Sequence, residues 1–497
     1  MNDDVQRRAS QIPFEIDVDC RPGARNTTIQ PAALTELAEH LLRCVGFETS
    51  ESAHVGTLHW LLNPDAEDAD AVQVAAESPA VFVAIQPAPG FLSRLGLPSQ
   101  VYSGAAGTDL DSPEPEPSLN SVRTLHDYHG YAASAATRLL QDSQGNPVWY
   151  RARLQQSQIL VLGTDPLADA LRFRQGDPQR AGCVPAEQWG FSFERPVHLY
   201  THQVEGLAHH QRPADDWTAL LGRSLVELGA MTRVGLLPDD APGAVIITGD
   251  DDQAYLEKYA RQAQVLADLR LTWFMHPQTR HTRATLRDLR QWVDFDLGIH
   301  PDACDAPERY AELFRLQMHW FRKQFGREPS SVRNHGYLNQ GYWGHHGPWE
   351  AEKVRFSSNV PGVDGRVLNG SLLPARLYLD GRLTEHWTVL TAIGDGIVGA
   401  LGRTDADGAR AVLDLADAIR ARRLPGIVVA NLHPQNVEET LQMHGAMREL
   451  VHSGFTPWTM ADCLNWFVRR ETHSARRRAR FSTLRQFAVD LRRALGF

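Results

Sequence analysis

Short, continuous apolar runs alternate along most of this chain with stretches whose apolar residues recur every third or fourth position. The runs predict strands buried on both faces, and the recurrences predict helices with one face against a core. In the first half the pattern predicts strands over 12–18 and 80–85 and a hairpin-like pair over 147–152 and 158–163. Helices are predicted over 31–45, 131–140 and 217–232, the first opened by Pro31. The segments 63–70 and 103–118, rich in acid, alanine and proline, read as mobile surface insertions. After a boundary near Gly235 to Pro238 the alternation becomes regular: strands over 244–247, 271–275, 295–300 and 426–433, with weaker ones over 354–357 and 377–379. Helices fall between them, from 253 onward with Tyr259, Ala263 and Leu266 on one face, then over 285–293, 309–325, 409–420 and 437–452. The expected class is α/β, with an N-terminal α/β domain over 1–235 and a second unit over 240–470.

Ionisable residues collect at the ends of the predicted strands of the second unit. They are Asp250-Asp251-Asp252 after the first, His300 after the third, Arg333 and His335 at the tip 331–335, and His433 after the last. Three successive carboxylates repel one another and need a cation, an arginine or water to neutralise them. An acidic helix N-cap explains one or two of them; three at a strand tip point to a site. Strand C-termini are where α/β barrels keep their chemistry. His198, His202, His209 and His210 are irregularly spaced and read as surface or linker histidines.

The composition narrows the class. With 497 residues, 42% apolar and 22% charged, the chain reads as globular, and its net charge of −10 argues against a nucleic-acid binder. Five scattered cysteines without a CxxC pair, an acidic start without an apolar signal core, and no membrane-spanning run make the cytoplasm the expected compartment. The tail over 474–497 is different. Arg476, Arg477, Arg478, Arg480, Arg485, Arg492 and Arg493 accompany Phe481, Leu484, Phe487 and Leu491 at helical spacing. That pattern suits an amphipathic helix lying on an anionic membrane surface, and equally one docked on this chain or a second copy.

In order along the chain, these tips resemble the motifs of the polysaccharide deacetylase (NodB-like) family. Its T-F-D-D-G motif corresponds to Thr248-Gly249-Asp250-Asp251-Asp252, and its closing L-H to Leu432-His433. Its H-x-x-x-H is matched by His300, with Cys304 where the second histidine stands, and its R-x-P by Arg333-Asn334-His335. The resemblance covers about 244–467. It implies a distorted (β/α) barrel and a metal-dependent hydrolase that removes an N-acyl group, acetyl above all, from a sugar or glycan precursor. It implies Asp251 and His300 as metal ligands, Asp250 as general base, Arg333 as the partner that keeps Asp250 ionised, and His433 as general acid. The third ligand is His335 or Cys304, with His335 preferred as a relocated histidine. Mixed N/O ligation favours zinc. The departures at Gly249, Asp252 and Cys304 leave two rivals: hydrolysis of another C–N bond, and a degenerate barrel used for carbohydrate binding or as a scaffold. Trp343, His345, His346 and Trp349 are expected either to line a sugar groove or to pack under a loop, and Glu385-His386-Trp387 to approach the site. A looser resemblance joins the 147–163 hairpin to the closing strands of glutamine-amidotransferase-like domains.

Overall fold

The computed structural model describes residues 33–49, 57–116, 119–132, 137–182, 193–252, 255–362 and 365–472. The predicted strand over 12–18 and the arginine-rich tail lie outside them.

The first half is built on a seven-stranded mixed sheet. Thr57–Leu62, Ala80–Ile85 and Ser157–Leu162 run parallel, and Pro147–Leu154 pairs antiparallel to the last of these as the predicted hairpin. Of the span predicted as a helix over 131–140, the described parts are strand: Tyr128–Tyr131 and Thr137–Gln141 are strands, and the turn before Asn146 joins two strands, with Asp142 N–H donating to Asn146 O at 3.0 Å. The two expected insertions are also partly ordered. Asp68–Ala75 is a helix that buries Ala69 and Val72, and Asp109–Glu116 is a sheet strand with Leu110 in the core. A few well-placed apolar side chains outweighed the acidic composition there. The helix expected over 217–232 runs over Pro213–Glu227, followed by a short strand, Met231–Arg233.

In the second half we number the strands β1 (Gly243–Asp250), β2 (Arg270–Met275), β3 (Asp294–Ile299), β4 (Phe356–Pro361), β5 (Ala375–Leu379), β6 (Arg382–Thr391), β7 (Ile393–Gly394), β8 (Gly426–Asn431) and β9 (Thr456–Trp458). β3, β2, β1, β8 and β7 lie side by side and parallel, with β9 also on β1; β4, β6 and β5 form a second ladder. The ladders are linked to one another. Val332 bridges Ile299 on one side and Ser357 on the other, and β6 runs on through Ala392 into β7. Every position of β1 and β8 is buried, as their unbroken apolar runs require. Parallel pairing brings the carboxyl ends of β1, β3 and β8 to the same side.

One hydrophobic cluster runs through both halves, from Leu37 and Trp217 to Ile246, Trp273 and Trp387. Buried charge also crosses between them: Asp215, fully buried, accepts from Arg174 and Arg212 at 2.7 Å each and from Ser371 Oγ of the second half. Arg212 in turn donates to Leu424 O and Pro425 O at the start of β8. Among the described residues no helix is long and apolar enough to cross a membrane.

Candidate metal and catalytic site

β1 ends on Asp250, and the chain turns directly after it, with Asp252 N–H donating to Asp250 O at 3.2 Å; Asp250 and Asp252 face the imidazoles and Asp251 faces away from them. Asp250 is buried against Arg333, whose guanidinium is fully buried and donates to Asp250 Oδ1 at 2.9 Å, Thr248 Oγ1 at 2.8 Å and Thr391 Oγ1 at 3.1 Å. Asn431 Nδ2, at the end of β8, donates to Asp250 Oδ2 at 2.7 Å. Burial pushes the Asp250 carboxyl up, but Arg333, His300 and His433 together hold it well below the usual carboxylate range. It is an anion at any ordinary pH.

The structure moves one expected ligand. Asp251 is turned behind the site, toward Thr279, Tyr259 and His281, where burial raises its carboxyl. The carboxylate brought to the imidazoles is Asp252. Its Oδ1 lies 3.7 Å from His300 Nε2 and 3.8 Å from His335 Nε2, and the three side chains form a group with ligand atoms within 4.8 Å of one another. His300 Nδ1 lies 2.7 Å from Arg333 O. A carbonyl only accepts, so Nδ1 carries the proton and the Nε2 lone pair points at Asp252 Oδ1 and, at 3.9 Å, Asp250 Oδ2. Burial pulls His300 down to about 4, so it stays neutral. A lone pair and two carboxylate oxygens thus converge with no proton to share. That donor set fits a divalent cation.

His335 is oriented by a hydrogen-bonded chain. Its Nδ1 faces Asp302 Oδ1 at 3.4 Å, which leaves Nε2 toward Asp252. Burial lowers His335, but the bond to Asp302 lifts it to about 10, so without an ion its Nε2 holds a proton toward Asp252, and ligation there would release that proton. His276, Asp302 and His335 form a second compact group, yet His276 Nδ1 accepts from Gln278 N–H, so its Nε2 must donate to Asp302 at 3.3 Å. With its Nε2 proton on Asp302, His276 offers no lone pair there, and the group steadies His335 from behind. Cys304 stands beside it, with Sγ 3.6 Å from His335 O, and belongs to neither group.

His433 closes the site. Asp395, at the start of the helix Asp395–Ala400, bonds His433 Nδ1, and its Oδ2 accepts the His433 N–H at 2.9 Å. Burial lowers the imidazole, but Asp395, Asp252 and Asp250 raise it to about 10. The protonated Nε2 points at Asp252 Oδ2 and Asp250 Oδ2, 3.6 and 3.8 Å away. These groups line a cavity of about 230 Å³, together with Arg195, Tyr337 and Gln435.

Asp250, His300, Arg333, His335 and His433 are therefore brought together, and Asp251 is not. Asn431 was open to the reading of strand alternation, since it lies two residues before His433; Asp252 stood in the acidic triplet, and the turn after Asp250 set its direction. Asp302 and Asp395 carried no local signal. Trp343, His345, His346 and Trp349 pack under a loop rather than line the cavity: His345 stacks on Tyr310 at 3.6 Å, and Trp349 Nε1 donates to the Tyr310 hydroxyl. Glu385, His386 and Trp387 also stay out of the lining, with His386 held by Val354 O and Ser357 Oγ.

No protein-family profile matches the chain, and no curated protein sequence does. Among solved structures, it is similar to a protein assigned as a polysaccharide deacetylase from Mycobacterium smegmatis, at 14% identity and a TM-score of 0.35 over 47% of this chain and 93% of that one. It is also similar to one assigned as a polysaccharide deacetylase involved in O-antigen biosynthesis from Bordetella bronchiseptica (17%, 0.30, 48% and 93%). A third is the family 4 carbohydrate esterase from Streptomyces lividans in complex with acetate (12%, 0.29, 44% and 92%). Scores this low do not define a shared fold, and the reading below stands on side-chain geometry.

Proposed function

We propose that this chain is a metal-dependent hydrolase that removes an N-acyl group, acetyl in the first instance, from a sugar or glycan precursor. The observation that carries it is the convergence of Asp252, His300 and His335 on one point, flanked by an ionised Asp250 and a protonated His433. In this reading the two ladders of the second half work as one distorted barrel, joined through Val332 and the β6–β7 run. A divalent cation held by Asp252, His300 and His335, zinc by the nature of these donors, supplies Lewis acidity for amide hydrolysis.

The chain's own groups divide the proton work. Asp250, kept anionic by Arg333 and Asn431, accepts a proton from the attacking water. His433, kept cationic by Asp395, gives its Nε2 proton to the departing amine nitrogen. Water adds to the acyl carbon, the C–N bond breaks, and the products are a carboxylate and an amine. In this reading the substrate is a biosynthetic intermediate in a reducing compartment, with Cys44, Cys304 and Cys463 unlinked to one another among the described residues.

The test is metal content and acetate release of the purified chain. Wild type is expected to hold about one equivalent of zinc or a related metal, Asp252→Ala to lose it, and Asp251→Asn to keep it. Asp250→Asn is expected to keep the metal and lose turnover. No stoichiometric metal in wild type, with no acetate from any N-acetyl sugar, returns the carbohydrate-binding reading.

A further inference from the structure

Among the described residues, Arg195 is the only arginine or lysine in the lining of the active cavity, and it comes from neither ladder. It sits in the first half, just before the short helix Pro196–Leu199, and is 3% exposed. Its neighbourhood is tightly built. Arg195 Nε donates to Gly336 O at 2.5 Å, within the turn that follows His335. Glu194 O accepts from Asn339 N–H at 2.9 Å, and its carboxylate accepts from Gly341 N–H at 2.8 Å and Gly182 N–H at 3.0 Å. Gly336 and Tyr337 both adopt positive φ, 57° and 56°, so the turn has a shape that these bonds hold in place. Tyr337 lies between two guanidiniums, 5.9 Å from Arg195 and 5.7 Å from Arg333. Arg333 lies behind the pocket against Asp250, whereas Arg195 forms part of the pocket wall.

Taking a guanidinium out of water is costly, and burial here pulls its pKa down to about 10, which still leaves it charged at neutral pH. A fixed, buried, planar cation at the wall of a substrate pocket recognises a carboxylate or phosphate through paired N–H donors. We propose that the substrate carries an anionic group near the N-acyl nitrogen and that Arg195 binds it. This rests on the N-acyl-sugar reading above, and it gives the first half a direct part in substrate selection.

The experiment measures binding in the full-length, zinc-loaded Asp250→Asn chain by calorimetry, with N-acetylglucosamine, N-acetylglucosamine 1-phosphate and 2-acetamido-2-deoxyglucuronate. At least one anionic ligand is expected to bind ten times or more tighter than the neutral sugar, and which one does so identifies phosphate or carboxylate. Adding Arg195→Gln, which keeps a donor for Gly336 O, is expected to bring the ratio within about threefold of one. Adding Arg195→Lys instead is expected to retain part of the preference. Equal binding of all three sugars, or a preference that survives Arg195→Gln, overturns the proposal. So does loss of zinc with both substitutions, which would make Arg195 a support of the His335 turn. Failure of the hydrolase reading shows separately, as no acetate from any of the three with metal-replete wild type.

Discussion

Replacing Arg333 with methionine removes the guanidinium from a carboxylate that has nowhere to go. Arg333 is fully buried and Asp250 is 3% exposed, so water does not take over the lost contact. Of its five hydrogen bonds, three go to Thr248 Oγ1, Ser358 Oγ and Thr391 Oγ1, and the last two of these hydroxyls already bond each other at 2.7 Å. Those acceptors therefore lose little, and the cost concentrates on Asp250. Breaking a buried pair from one side costs about 3–5 kcal/mol. Asp250→Asn, which keeps the Asn431 contact and leaves Arg333 charged, is expected to cost a comparable amount. The double variant removes both charges, so its cost is expected to fall short of the sum by about 2 kcal/mol or more. Urea denaturation of the four proteins in excess chelator, at neutral pH, measures this without any contribution from metal. Costs that add to within about 0.5 kcal/mol would show that the two groups are not coupled, and the account of an arginine-held base would fail.

Other outcomes are as specific. Asp395→Asn is expected to lower turnover by about 10²–10³-fold with metal retained, since His433 loses the anion that keeps it protonated and aimed; an effect below threefold argues against His433 as the acid. Gly249→Ala is expected to destabilise by about 1–3 kcal/mol, because a Cβ there would lie 2.9 Å from Leu432 O, on the backbone that leads from β8 to His433; an unchanged urea midpoint counts against that close approach. Asp165, which caps the helix Pro166–Gln175, is pushed up to about 6 by burial. Its folded form therefore holds a proton that the unfolded chain releases near pH 4, and stability falls as pH rises from about 4 to 6. Asp165→Asn keeps a capping oxygen without the charge. It is expected to gain about 1–3 kcal/mol over wild type at pH 8 and nothing at pH 4; a gain independent of pH refutes the assignment.

Much of the second half could be read in advance, and the first half less. The apolar runs at 244–247, 271–275 and 426–433 became buried parallel strands, because a strand covered on both faces needs no alternation to mark it. The 131–140 segment misled, because its period suited a helix while sheet pairing with Pro147–Leu154 made Thr137–Gln141 a strand. For the third ligand position the sequence left His335, preferred, beside Cys304; in the folded chain His335 Nε2 faces Asp252, while Cys304 Sγ lies 3.6 Å from a carbonyl oxygen.

The sequence by itself determined which residue types stand at the strand ends, and in what order: acids after β1, an imidazole after β3, a guanidinium and imidazole near Val332, an imidazole after β8. These follow from local patterning, which one strand and its flanks contain. Tertiary structure decided which two of three adjacent acids face the site, that Asp395 steadies His433, and that an arginine of the first half reaches the cavity. Those choices depend on the turn after β1 and on contacts between residues far apart in the chain, such as Arg195 with Gly336 and Arg333 with Asp250. Only the folded chain brings such groups within hydrogen-bonding distance.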